Sequence, residues 1–104
     1  MSEREEKKMP DEITVTRLAT LYKMFGDETR IRILFLLYRS EMCVGDLALG
    51  TGLGISAVSH QLSILKQAEL VRSRRMGKSV IYSLADDHVS TILGNGLEHV
   101  NEDK

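Results

Sequence analysis

Two histidines near the end of this 104-residue chain share one face of a predicted helix, yet they lie too far apart to bind one ion. At about 100° per residue, His88 and His99 project roughly 20° apart, and Glu102 projects about 40° to the other side. A rise of about 1.5 Å per residue separates the imidazoles by about 16 Å, whereas zinc–nitrogen bonds are about 2 Å. An antiparallel partner helix would bring His99 and Glu102 of one subunit to Asp86 and His88 of the other. The spacing therefore predicts a homodimer with two four-ligand metal sites.

Each candidate ligand also has an ordinary structural explanation. Asp86 is placed to cap the last helix, Asp87 competes with it for either role, and the two histidines and Glu102 could be solvated side chains. The joint spacing favours a metal site over these explanations. Imidazole and carboxylate groups suit zinc, with cobalt as the alternative, whereas nickel generally takes more ligands.

Composition limits the class of protein. With 42% hydrophobic residues the chain suits one domain with a modest core, and no apolar run approaches the roughly 18 residues of a membrane span. The first 12 residues are charged rather than signal-like. The single cysteine, Cys43, permits no disulfide within the chain, which is consistent with a reducing compartment. We therefore expect a cytoplasmic protein without a membrane partner.

The charges are segregated, although the formal net charge is only −1. Residues 86–104 carry five acidic side chains against one lysine, whereas residues 55–82 carry five basic side chains against one glutamate. Such a basic segment is expected of a surface that contacts nucleic acid, although a solvated basic hairpin would have the same composition.

Apolar residues at helical spacing predict an amphipathic first helix: Val15, Leu18, Tyr22 and Phe25. This helix is expected to end near Gly26. Residues 1–12 precede it and are predicted to form a flexible arm, which leaves residues 13–104 as the folded domain. A second helix is predicted from residue 28 to about residue 39, with Asp27 as its N-cap and enough apolar residues to form the centre of the core.

A helix-turn-helix arrangement is predicted next. A short helix over residues 44–49 is followed by a glycine-rich turn and a fourth helix over residues 55–69. One face of the fourth helix is apolar, and the other carries five short polar side chains: Ser56, Ser59, His60, Ser63 and Gln67. None is acidic and all can form hydrogen bonds. This suits a helix that enters the major groove of DNA better than an ordinary solvated face, which would be rich in Glu and Lys.

Two strand-like segments, residues 71–75 and 79–84, flank Met76-Gly77 and predict a β-hairpin. Three cations lie near its tip: Arg74, Arg75 and Lys78. Beside a polar helix they favour contact with DNA phosphates or the minor groove, although they could also keep an edge strand soluble. The order of elements predicts an α+β, mainly α fold: a winged helix-turn-helix domain with an added C-terminal dimerisation helix.

The last helix is predicted over about residues 87–100 and contains two glycines. Gly94 and Gly96 each disfavour a helix by roughly 1 kcal/mol relative to Ala, and could end it before His99. Alternatively, their missing side chains let two helices pack closely across a dimer axis, which is the interpretation we favour.

Three stretches resemble the ArsR/SmtB family of metal-responsive bacterial repressors, within about residues 18–102. They are residues 25–34 (Phe-Gly-Asp-Glu-Thr-Arg-Ile-Arg-Ile-Leu), residues 56–62 (Ser-Ala-Val-Ser-His-Gln-Leu), and Asp86-Asp87-His88 with His99 and Glu102. The second is typical of the family's recognition helix, and the third is similar to the branch that binds zinc or cobalt between paired C-terminal helices. The resemblance implies a homodimeric repressor that occupies operator DNA when metal-free and releases it when zinc binds.

The chain departs from another branch of that family, which senses soft metals through a Cys-Val-Cys-Asp core. Here the sequence is Cys43-Val44-Gly45-Asp46, and the first 24 residues hold no Cys or His to complete a thiol site. A sensor of arsenic, cadmium or lead is therefore not expected. Cys43 is interpreted as a small buried residue or a relic of such a thiol site, with a redox role as the alternative.

Other function classes fit less well. A catalytic zinc site keeps an open coordination position, and four protein ligands leave none. The sequence has no paired nucleophile and base, phosphate-binding glycine loop or cofactor motif, so neither an enzyme nor a small-molecule substrate is expected. The remaining alternatives are a regulator of the same fold that responds to redox or another ligand, and a protein-interaction dimer without DNA affinity.

Overall fold

The described part of the chain, residues 8–102 of a computed structural model, forms five helices and a three-stranded antiparallel sheet. The elements are α1 (Glu12–Met24), α2 (Glu28–Arg39), β1 (Met42–Cys43), α3 (Val44–Thr51), α4 (Ile55–Gln67), β2 (Val71–Met76), β3 (Ser79–Leu84) and α5 (Asp87–Val100). This is the mainly helical α+β architecture that the sequence predicts. Of the predicted arm, residues 1–7 lie outside the described residues, and α1 already begins at Glu12. No helix in the described range has both the length and the apolar character needed to cross a membrane.

Three helices begin at an aspartate whose carboxylate accepts hydrogen bonds from the first turn. Asp11 caps α1, Asp27 caps α2 as predicted, and Asp86 caps α5. The backbone amide of Thr14 donates to Asp11 and lowers the pKa of its carboxyl group, because the bond stabilises the charged form. The caps satisfy amide groups that have no partner inside the helix, and so fix where each helix starts.

The core lies between α2, α3 and α4, and is closed by β2 and α5. Its fully buried side chains come from the three central helices: Ile33, Leu34, Leu47, Val58, Leu62 and Leu65. The last three form the apolar stripe predicted on α4. Burial of this stripe holds the opposite face of α4 toward solvent, since a helix has only one side in contact with the core.

The sheet has the strand order β1-β3-β2, and β2 with β3 forms the predicted hairpin. The pairing runs from Val71 opposite Leu84 to Met76 opposite Ser79, so Met76 belongs to the strand and the turn falls at Gly77 and Lys78. Gly77 has φ of 65°, a left-handed conformation that favours glycine. Strand β1 is not predictable from the sequence, because two residues are too few to give a strand periodicity.

Helix α1 forms as predicted, but none of its residues is buried. Its apolar stripe stays accessible, with Val15 at 44%, Leu18 at 39% and Tyr22 at 55% exposure. Helical stability in proteins comes mostly from packing of an apolar face. The stripe therefore remains available to a surface outside this chain.

Helix α5 runs through both glycines, so the alternative that they end it early is wrong. A Cβ atom at Gly94 would lie 3.0 Å from the hydroxyl oxygen of Tyr38 on α2. The element that packs closely against Gly94 is therefore α2 of the same chain. At Gly96 an added Cβ meets nothing within 4 Å, which leaves this position open to a second helix.

Candidate metal and DNA sites

The four candidate metal ligands form two pairs at opposite ends of α5. At the start of the helix, Oδ1 of Asp86 lies 3.6 Å from Nδ1 of His88. At the end, Oε1 of Glu102 lies 4.0 Å from Nδ1 of His99. We call Asp86 with His88 the start half-site, and His99 with Glu102 the end half-site. The continuous helix keeps them about 16 Å apart along its axis, from its rise of about 1.5 Å per residue.

Among residues 8–102, no further side chain completes either half-site. Within residues 8–102 no group of three or more His, Cys, Asp or Glu side chains could hold a metal ion. The imidazoles are open to solvent, with 93% of the His88 side chain and 82% of the His99 side chain exposed. Exposed contacts of this kind add little to stability.

Asp86 caps α5, which is the ordinary structural role predicted for it from the sequence. Its Oδ1 accepts hydrogen bonds from the backbone amides of His88 at 3.0 Å and Val89 at 3.3 Å. Oδ2 takes no hydrogen bond from the described residues, and a carboxylate has lone pairs on both oxygens. Capping therefore leaves Asp86 free to ligate. It also holds the carboxylate beside His88, whereas Asp87 has no such pairing in this part of the chain.

The start half-site lies next to the end of α4. Asp86 and His88 line a cavity of about 570 Å³ together with Glu69, which follows α4, and with residues of α1. The amide of Ala85, immediately before the half-site, donates to the carbonyl of Leu70 at 3.0 Å. A backbone hydrogen bond therefore connects the residue before the start half-site to the segment that follows α4.

The predicted polar face of α4 is present and exposed to solvent. All five of its side chains point away from the buried stripe: Ser56, Ser59, His60, Ser63 and Gln67. The following hairpin is tied to the same helix, because Nζ of Lys66 donates to the hydroxyl of Ser73 at 2.8 Å. This hydrogen bond connects α4 to the β2–β3 hairpin, which is the wing of the fold.

The three wing cations do not act as one group. Successive residues of a strand point to opposite faces, and Ser73 points toward Lys66 of α4. Arg75 shares the face of Ser73, whereas Arg74 lies on the other face and pairs with Glu41 at 2.7 Å. Lys78 is exposed in the turn. No sequence signal could have given the Arg74–Glu41 pair, since the two residues are 33 positions apart.

Comparison with known proteins identifies the family. The profile of the bacterial regulatory protein arsR family matches residues 27–73. The transcriptional repressor SmtB homolog of Synechocystis sp. is 42% identical over 86 residues, which cover 83% of this chain and 65% of that protein. The HTH-type transcriptional regulator NmtR of Mycobacterium tuberculosis is 36% identical over 89 residues, which cover 86% of this chain and 74% of that protein. The chain belongs to the ArsR family.

Solved structures of ArsR-type regulators have the same fold. The AntR antimony-specific transcriptional repressor superposes with a TM-score of 0.85 at 30% identity, over 99% of this chain and 94% of that one. A homodimeric winged helix-turn-helix DNA-binding domain from Mycobacterium bovis, described as a possible ArsR-family regulator, gives a TM-score of 0.81 at 27% identity, over 91% and 90% of the two chains.

Membership of the ArsR family confirms several predictions. The fold is a winged helix-turn-helix, the family is one of transcriptional repressors rather than enzymes, and the expected partners, DNA and a second copy of the chain, agree with the family. The relatives support a metal-responsive repressor of the ArsR/SmtB type without selecting the metal.

Proposed function

We propose that this chain is a zinc-responsive repressor that binds operator DNA as a metal-free homodimer and dissociates from it when zinc binds between the α5 helices. The observation that carries the proposal is the division of four ligands into two half-sites on α5. An antiparallel pair of α5 helices brings the start half-site of one subunit to the end half-site of the other. Two-fold symmetry then gives two sites of four ligands each: Asp86 and His88 from one subunit, and His99 and Glu102 from its partner.

The apolar surface supports a dimer of this kind. Beside the end of α5, a groove of about 340 Å³ is lined almost entirely by apolar side chains, among them Phe35, Leu93 and Val100. Val100 and Leu97 are exposed, as is the apolar stripe of α1. Contiguous exposed apolar surface commonly marks interfaces between proteins. A second copy of the chain would cover the groove and the stripe together.

The donor set fits zinc. Two imidazoles and two carboxylates are ligands that zinc accepts in a closed tetrahedral site, and cobalt fits similarly. The family as a whole does not fix the metal, since AntR is antimony-specific. The choice of zinc here rests on nitrogen and oxygen donors, together with the absence of the second thiol that would complete a Cys-Val-Cys-Asp core at Cys43.

The expected response follows from the geometry of DNA. Two recognition helices must stand about 34 Å apart to enter successive major grooves, so any change in the angle between the subunits alters DNA affinity. Metal ligands from both subunits would fix that angle. In this arrangement His99 of the partner subunit would approach Glu69 at the end of α4, where its second ring nitrogen could donate to a backbone carbonyl. Zinc and DNA then weaken each other's binding equally, typically through 1–3 kcal/mol.

A mixed dimer tests whether each site is shared between subunits. One chain carries Asp86→Asn with His88→Gln, and the other carries His99→Gln with Glu102→Gln. Neither homodimer should bind zinc tightly, whereas the mixed dimer should regain one of its two sites. Zinc binding by either mutant homodimer at wild-type affinity would contradict a shared site, as would a mixed dimer that binds none.

A gel-shift experiment tests the regulatory function. Duplex DNA from upstream of the chain's own gene should be bound by the metal-free protein and released when zinc is added. The Asp86→Asn, His88→Gln homodimer is the matched control, and it should stay on the DNA at the same zinc concentration. Release of this control by zinc would show that the α5 ligands are not the sensor.

A further inference from the structure

Arg30 differs from the other cations of the described chain. Every other Lys or Arg in residues 8–102 is exposed, whereas Arg30 is half-buried between α2 and α4. Within that range its guanidinium makes no ion pair with a carboxylate. Its Nε donates to Oε1 of Gln61 on α4 at 3.0 Å, and its Nη1 lies 3.8 Å from Sδ of Met24 at the end of α1.

Gln61 lies on the flank of α4 and not on its polar face. At about 100° per residue it projects roughly 140° away from the centre of the face formed by Ser59, Ser63 and their neighbours. Its amide oxygen must point toward Arg30, since a guanidinium can only donate. The bond therefore reaches the body of α4 from behind the face that would meet DNA.

The position of Arg30 on its own helix is also fixed. Its backbone amide donates to Oδ2 of the capping residue Asp27 at 3.0 Å. A hydrogen bond from a charged donor is stronger than a neutral one, and the planar guanidinium loses little freedom in making it. The contact thus joins the start of α2 to the middle of α4, two helices whose crossing angle decides where the polar face of α4 points.

We propose that Arg30 is a positioning residue for DNA binding, which holds α4 in its orientation through Gln61. The inference rests on the proposed DNA binding and names a residue outside the polar face and the wing. A positioning residue affects DNA affinity without itself neutralising a phosphate. It therefore differs from a phosphate contact in the salt dependence of binding, where each phosphate neutralised adds about one to the slope.

The test uses Arg30→Met, Gln61→Leu and the double variant in the full-length protein, with binding to duplex DNA from upstream of its own gene measured over a range of salt concentrations. Arg32→Met is the matched control, because Arg32 lies two residues along α2 and is exposed. We expect roughly tenfold weaker binding by Arg30→Met and by Gln61→Leu, corresponding to about 1.4 kcal/mol. The double variant should be no weaker than Arg30→Met, and the salt slope should match that of the control.

Two further measurements separate positioning from loss of the fold. Zinc uptake at the α5 ligands and the dimeric state should be unchanged in all variants, since neither depends on the Arg30–Gln61 bond. A salt slope for Arg30→Met that falls by about one relative to the control, with Gln61→Leu unaffected, would make Arg30 a phosphate contact and overturn the proposal. The proposal would also be overturned if the losses of DNA affinity in Arg30→Met and Gln61→Leu added up in the double variant. The same holds if neither single variant lost DNA affinity. Wild-type protein that binds no DNA would instead refute the proposed function itself.

Discussion

Asp86 caps the helix that carries His88, and the same carboxylate lies 3.6 Å from the His88 imidazole. Capping fixes the backbone of the first turn, so the side chain that starts α5 also sets the geometry of the start half-site. In the proposed metal site, Asp86 would therefore combine helix capping with metal binding, and a pair of substitutions can separate the two roles.

Asp86→Asn and Asp86→Ala should divide the two roles. Asn caps a helix about as well as Asp but is a poor ligand, whereas Ala does neither. We expect Asp86→Asn to keep the metal-free thermal stability and lose tight zinc uptake, and Asp86→Ala to lose zinc uptake and about 1 kcal/mol of stability. Thermal unfolding without metal and calorimetric zinc titration give the two readouts. Wild-type zinc affinity in Asp86→Asn would reduce Asp86 to a cap.

Glu41→Gln should increase DNA affinity by releasing Arg74. The two side chains pair at 2.7 Å while both remain about half exposed, so the pair is worth at most about 1 kcal/mol, or about fivefold in binding. Glu98→Gln is the matched control, because it removes the same charge from α5, outside the β2–β3 hairpin. Gel shifts at low salt should show tighter binding by Glu41→Gln than by the control. Equal gains in both variants would show a general charge effect and no specific competition for Arg74.

Gly96→Ala should weaken the dimer while favouring the helix. An added Cβ meets nothing within 4 Å in the chain, and Ala favours a helix by about 1 kcal/mol over Gly. If α5 helices pack closely at Gly96, the methyl group must separate them, and sedimentation should show a larger dissociation constant. Gly45→Ala on α3 is the control for helix propensity alone, since its Cβ would meet only Sγ of Cys43 at 3.9 Å. An unchanged dimer with a raised melting temperature would place Gly96 outside the interface.

Glu69→Gly should stabilise the protein. Glu69 has φ of 64°, and it occupies the position after α4 at which glycine is usual. The amides of Glu69 and Leu70 donate to the carbonyls of Lys66 at 3.0 Å and Leu65 at 2.9 Å, which holds this conformation in place. Relief of the left-handed backbone, offset by the greater freedom of unfolded glycine, should add about 0.5–1 kcal/mol.

Thermal unfolding measures this gain as a rise of a few degrees in melting temperature. Gly77→Ala is the opposite control, because Gly77 has φ of 65° and its replacement should lower the melting temperature. A melting temperature that falls in Glu69→Gly would mean that the Glu69 side chain makes a stabilising contact larger than the backbone strain.

Much of the fold was predictable because its signals are local. The spacing of apolar residues gave α2 and α4, an aspartate marked the start of α2, and a glycine marked the hairpin turn. The buried stripe of α4 fixed its polar face by the same periodicity. The separation of His88 from His99 also followed from sequence, since it depends only on the helical rise and on α5 being continuous. Assignment of these residues as metal and DNA ligands remains a prediction.

Contacts between distant residues were decided by tertiary structure alone. The sequence grouped Arg74 with Arg75. Strand alternation alone separates the faces of these two side chains, but only the folded chain brings Glu41 to within 2.7 Å of Arg74. It assigned Gly94 to a dimer axis, but the packing of α2 on α5 places Tyr38 there. Periodicity states which side of a helix or strand is apolar, and it does not state which neighbour covers that side. The neighbour depends on how whole elements pack around a shared core, and that arrangement minimises the energy of the entire chain rather than of any one segment.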